Sequence, residues 1–100
     1  MLLNYTCFTV VPPSFTTKPF NHSVNEDDVT IFHCIASGNP TPKITWIKDG
    51  MTVGEGDTLR FDTYRNHSGK YTCSAENGVG QAIDRGAYLD VQCKYKKGND

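Results

Sequence analysis

The feature that most constrains this chain is a two-residue alternation inside short runs rich in Val, Ile, Thr, Phe and Tyr, each closed by a cluster of turn-forming residues. Period two sends successive side chains to opposite faces of an extended strand, whereas a helix needs apolar residues three and four apart. No stretch sustains the helical spacing. The turn clusters include Asn39-Pro40-Thr41-Pro42, Asp49-Gly50, Gly54-Glu55-Gly56-Asp57 and Asn77-Gly78. Asn77-Gly78 lies between apolar runs and predicts a type I′ hairpin, the turn that needs positive φ at both central residues. Strands are expected near 14–19, 22–25, 28–36, 43–48, 57–62, 69–76 and 81–92. The result is an all-β chain, about seven to eight strands in two antiparallel sheets.

Alternation also predicts what each strand buries. With Cys34 inward, Thr30, Phe32 and Ala36 share its face, and the same rule turns inward Ile44 and Trp46, Leu59 and Phe61, Tyr71, Cys73 and Ala75, and Ala87, Leu89 and Val91. These positions would form one core between two sheets. A chain of 100 residues, 37% hydrophobic, supports one such core and should bury about 60–70% of its unfolded surface. Val29, Ile31 and Ile35 then fall outward on the strand of Cys34, with Ile47 and Tyr88 outward on the opposite sheet. Two readings of these outward residues stay open. They are β-branched residues chosen for strand propensity, or they form a contact patch with Tyr88 as its anchor, because aromatics concentrate at interface hot spots.

Across about residues 13–92 the chain resembles an I-set immunoglobulin domain. The carriers are Pro13 and Phe15, Cys34, the run Gly38-Asn39-Pro40-Thr41-Pro42 leading to Trp46, Leu59, Gly69-Lys70-Tyr71-Thr72-Cys73, Ala75-Glu76-Asn77-Gly78-Val79-Gly80, and Leu89 with Val91. The resemblance implies an immunoglobulin-like β-sandwich with a Cys34–Cys73 bridge between the sheets, Trp46 packed on that bridge, and Tyr71 as the tyrosine of the corner motif. Phe32, Leu59 and Leu89 complete the implied core. About 26 residues separate Trp46 from Cys73, too few for the two extra strands of a variable-type domain. Two departures stand out: His67 occupies a position where such domains usually carry Asp, and Glu26-Asp27-Asp28 replaces the usual glycine turn. On this reading residues 1–12 are an extension or linker, 13–92 the domain and 93–100 a second linker or tail, an organisation expected of a domain from a tandem array.

What the resemblance implies about function is recognition of other cell-surface or matrix proteins, homophilic or heterophilic, in a cell-adhesion molecule or receptor ectodomain. Adjacent immunoglobulin-like domains of a longer chain are further expected partners. The alternative is an intracellular structural domain of a muscle or actin-associated scaffold. Asn4, Asn21 and Asn66 each begin an Asn-x-Ser/Thr acceptor sequence, which would place the chain in the oxidising secretory route. Cys7 and Cys93 are left over, either pairing with a neighbouring domain or chain or remaining free.

Other chemistry finds little support. Ten basic against eleven acidic residues leave no positive field for nucleic acid, and Lys94, Lys96 and Lys97 read as a solvated tail. No apolar run approaches the ~18 residues that cross a bilayer. The opening Met1-Leu2-Leu3 lacks a basic n-region and is interrupted by Asn4 and Thr6, unlike a signal peptide. His22, His33 and His67 are scattered rather than set at metal-ligand spacing. No metal, cofactor or catalytic constellation is expected.

Overall fold

The side chains that alternation turns inward meet between two β-layers. The computed structural model describes residues 9–93; Asn4, Cys7 and Lys94, Lys96 and Lys97 lie outside the described residues. The elements are β1 (Val11–Thr17), β2 (His22–Asn25), β3 (Val29–His33), β4 (Ile35–Asn39), β5 (Lys43–Lys48), β6 (Met51–Glu55), β7 (Thr58–Asp62), a 3-10 turn at Arg65–His67, β8 (Gly69–Glu76) and β9 (Ile83–Gln92). One layer has the order β2-β9-β8-β5-β6, and the other joins β1 to β4 and β3 to β7. Only Cys34 separates β3 from β4, and its N–H donates to the Asp57 carbonyl at 2.8 Å, so the two act as one long strand. Counted that way there are eight strands among the described residues. Their pairings are antiparallel except at one edge, where β2 runs parallel to β9. The chain changes layers between β1 and β2 through Lys18-Pro19-Phe20-Asn21. Pro19, which has no N–H to give a ladder, is buried in that crossing.

Two turn expectations exchange places. Sequence periodicity predicts no strand between 48 and 57, yet β6 is there. It is set by Asp49 and Gly50, whose φ values of 54° and 78° give the paired positive dihedrals of a type I′ turn joining Lys48 to Met51. The hairpin predicted at Asn77-Gly78 is instead a longer connection, residues 77–82, in which Gly78 and Gly80 carry the positive φ and Asn77 does not. Asn77 is used as a strut. Its Nδ2 donates to the carbonyls of Val11 at 2.8 Å and Pro40 at 2.9 Å, and its Oδ1 accepts from the Val79 N–H at 3.0 Å. These bonds tie the start of β1 and the Pro40 loop to the end of β8. The acidic turn before β3 keeps a glycine-like shape, with Asp27 at φ 76° and the Asp28 N–H donating to the Asn25 carbonyl. Asp is among the residues that tolerate this left-handed conformation.

Phe32, Cys34, Trp46, Cys73, Ala75 and Ala87 have no exposed surface, and Ile44, Leu59, Tyr71 and Leu89 complete the core. The Cys34–Cys73 disulfide joins the layers, with the two Cα atoms 6.5 Å apart. Trp46 lies opposite Cys73 in the β5–β8 register, and its indole N–H donates to the Gly56 carbonyl at 2.8 Å. A buried indole needs such an acceptor. Buried Thr30 and Thr63 satisfy each other through their hydroxyls, and no buried side-chain N or O among the described residues is left without a partner.

Candidate protein-recognition surface

The outer face of the five-stranded layer is built in rows across the strands. One row runs Thr52, Ile47, Thr72, Gly86 and the next Lys70, Tyr88. The second continues to Asn21, just before the His22–Leu89 pair of the parallel edge, and the Tyr88 N–H donates to Asn21 Oδ1 at 2.8 Å. Tyr88 is 58% exposed, whereas Ile47 is half-buried. The two share a face but do not form a patch, because Thr72 and Gly86 lie between them in the ladder and the Lys70 stem lies over Gly86.

On the opposite layer Val29 and Ile31 are next neighbours on the outer face of β3, and Ile35 follows on β4 beyond His33. All three are 38–40% exposed. Their cross-strand neighbours are Asp62 for Val29, Arg60 for Ile31 and Thr17 for Ile35, and His33 Nδ1 meets Thr58 Oγ1 at 3.3 Å. The structure therefore gathers a short aliphatic strip bordered by charge and hydroxyl, on the side of the molecule away from Tyr88. Met51 and Val53 on β6, Phe20 in the layer crossing, and Tyr64 are also well exposed, and sequence reasoning misses all four. For β6 the available signal is Asp49-Gly50; no periodic pattern marks the others.

The corner below β8 is held by polar contacts. The Tyr71 hydroxyl donates to the His67 carbonyl at 2.7 Å, while His67 Nδ1 accepts the Tyr64 N–H at 2.9 Å. His67 thus serves the 3-10 turn itself instead of supplying a carboxylate. Burial, with the charge of Asp49 adding, pushes the Tyr71 hydroxyl up to about 12. Arg65 bonds Glu26 through both Nε and Nη2 at 3.3 Å, and these hydrogen bonds, with Glu26's charge, hold its guanidinium above the ordinary range. A shallow hollow of about 250 Å³ opens between β6 and β7, lined among others by Lys48, Val53, Arg60 and Phe61. Lys48 pairs with Asp49 at 2.9 Å and sits 5.7 Å from the Tyr71 ring centre. Asn21 and Asn66 are exposed, as is Cys93, which has no disulfide partner among the described residues.

A family model described as "Immunoglobulin domain" matches residues 12–77. The chain belongs to the immunoglobulin domain family. The neural cell adhesion molecule L1 of Takifugu rubripes is 33% identical to this immunoglobulin domain over 87% of the chain, which spans 9% of that protein. The solved structure of Sidekick-1 immunoglobulin domains 1–5 matches with a TM-score of 0.80 at 26% identity, over 86% of this chain and 21% of that one. A structure of Dpr11 IG1 bound to DIP-gamma matches with a TM-score of 0.73 at 30% identity, over 82% of this chain and 48% of that one. The domain thus spans under a tenth of the length of the L1 adhesion molecule. Relatives of this domain are parts of adhesion and receptor proteins, and structural neighbours include immunoglobulin domains bound to protein partners.

Proposed function

We propose that this immunoglobulin domain is an extracellular recognition module that binds cell-surface or matrix proteins through the outer faces of its strands. It would work beside neighbouring immunoglobulin domains of a longer chain. The observation that carries the reading is the aliphatic strip Val29, Ile31 and Ile35, left exposed on a layer that the Cys34–Cys73 bridge clamps to the other. Rigid presentation of apolar side chains with a charged border suits protein contact, since little ordering entropy is lost on binding. The bridge and the exposed acceptor residues Asn21 and Asn66 support the secretory route. Membership of adhesion proteins among its relatives supports the partner class.

Sedimentation velocity across a concentration range tests the surface assignment, comparing wild type with Ile31→Lys and Tyr88→Lys. A variant that lowers association locates the face. If neither changes association or capture of a surface partner, the assignment fails. Intact mass under non-reducing conditions, from a secretory host, should show the loss of two hydrogens at the Cys34–Cys73 pair and added glycan mass.

A further inference from the structure

We propose that Asn21 carries an N-linked glycan that covers Tyr88, closing that end of the five-stranded face and leaving the Val29, Ile31 and Ile35 strip as the open recognition surface. The inference rests on the extracellular reading above. Its basis is a contact between residues 67 positions apart in sequence: the Asn21 carboxamide oxygen accepts the Tyr88 backbone N–H at 2.8 Å. In the parallel β2–β9 ladder His22 pairs with Leu89, and both turn toward the core. By alternation the preceding residues, Asn21 and Tyr88, emerge on the same outer face.

The hydrogen bond uses Oδ1, so Nδ2, the atom that takes the sugar, keeps its hydrogens free of this contact. Standard amide bond lengths put Nδ2 about 2.3 Å from Oδ1, hence within about 5 Å of the Tyr88 nitrogen. A sugar ring attached there emerges on the outer face that also carries the Tyr88 phenol. The Tyr88 ring on that face is 58% exposed. A partner seated on Tyr88 and a glycan on Asn21 would occupy the same volume. The aliphatic strip lies on the other layer, out of the first sugar's reach.

The chain is expressed in a glycosylating secretory host beside Ser23→Ala, which removes the acceptor sequence but keeps the Asn21–Tyr88 hydrogen bond. Peptide mapping reads occupancy at Asn21 and Asn66. Hydroxyl-radical footprinting reads Tyr88 oxidation in an Asn66→Gln background, with exposed Tyr64 as internal standard. The expected result is an occupied Asn21 and Tyr88 oxidised several-fold less than in Ser23→Ala, with Tyr64 unchanged. Equal Tyr88 oxidation in the two proteins overturns the inference. So does a bare Asn21 beside a glycosylated Asn66, which leaves the extracellular reading standing. A chain bare at both positions also overturns the inference, and Cys34 and Cys73 found reduced in the secreted chain would overturn the extracellular reading with it.

Discussion

Tyr71→Phe should make this domain less stable at neutral pH but less sensitive to alkali. The substitution keeps the ring among Phe32 and Phe61, whose centres lie 5.3 and 5.5 Å away, and removes the bond to the His67 carbonyl. That loss costs about 1 kcal/mol near neutrality. In the wild type the fold holds the hydroxyl near 12 instead of 10.0, because burial and Asp49 both disfavour the phenolate. A group whose folded pKa is raised favours the protonated form. Its stabilisation is therefore complete below the unfolded value and is lost as pH rises through the folded one. Linkage gives a loss of roughly 1 kcal/mol by about pH 11, growing to at most roughly 2–3 kcal/mol well above pH 12, with solvent screening at the partly exposed hydroxyl reducing both. The Phe variant has no such loss, and other titrations largely cancel between the two proteins. The stability gap of about 1 kcal/mol near pH 7 should thus narrow steadily above about pH 10 and largely close by about pH 11. Guanidinium denaturation followed by the fluorescence of the sole tryptophan, buried Trp46, measures both curves. A gap that stays constant across this range would refute the reasoning, since the hydroxyl would then ionise equally easily folded and unfolded.

Gly54→Ala and Gly86→Ala should differ although both add a methyl group at a crowded position. At Gly54 the new Cβ would stand 2.6 Å from Cδ1 of buried Leu59, an overpacking cost of about 1–3 kcal/mol. At Gly86 it meets only the flexible end of Lys70, which can swing aside, so urea melts should show a change within about 0.5 kcal/mol. Asn77→Ala removes the strut to Val11 and Pro40 and should cost about 1–3 kcal/mol, with hydrogen exchange faster in β1 than in β8. Replacing Cys34 and Cys73 together by Ala releases a 39-residue separation and should cost about 4 kcal/mol on the chain-entropy account. A double variant that melts within a degree or two of wild type would remove the bridge from the account of rigidity.

What the sequence announces is what burial forces. Thr30, Phe32 and Cys34, Ile44 and Trp46, and Tyr71, Cys73 and Ala75 had to alternate, since a one-residue slip would turn each set toward water. β6 escapes that logic: Met51, Thr52 and Val53 are all exposed, and Val53 falls where the register slips between the Trp46–Gly54 and Ile47–Thr52 pairs. Such an edge strand is held by backbone pairing and by its turn, so the signal lies in Asp49-Gly50 and not in any apolar period. The recognition surface is less legible still, for a physical reason. Outward residues contribute little to folding, so Val29, Ile31 and Ile35 look the same in sequence whether they serve strand propensity or a partner. Tyr88 gains its meaning from Asn21, and those two meet only because the chain crosses layers at Pro19 and lays β2 parallel to β9. No local pattern encodes that meeting, which is created by topology. It follows that a change at exposed Asn21 should alter the accessibility of Tyr88, read by the same footprint, with little effect on the buried core, whereas a change at buried Pro19 should disturb both.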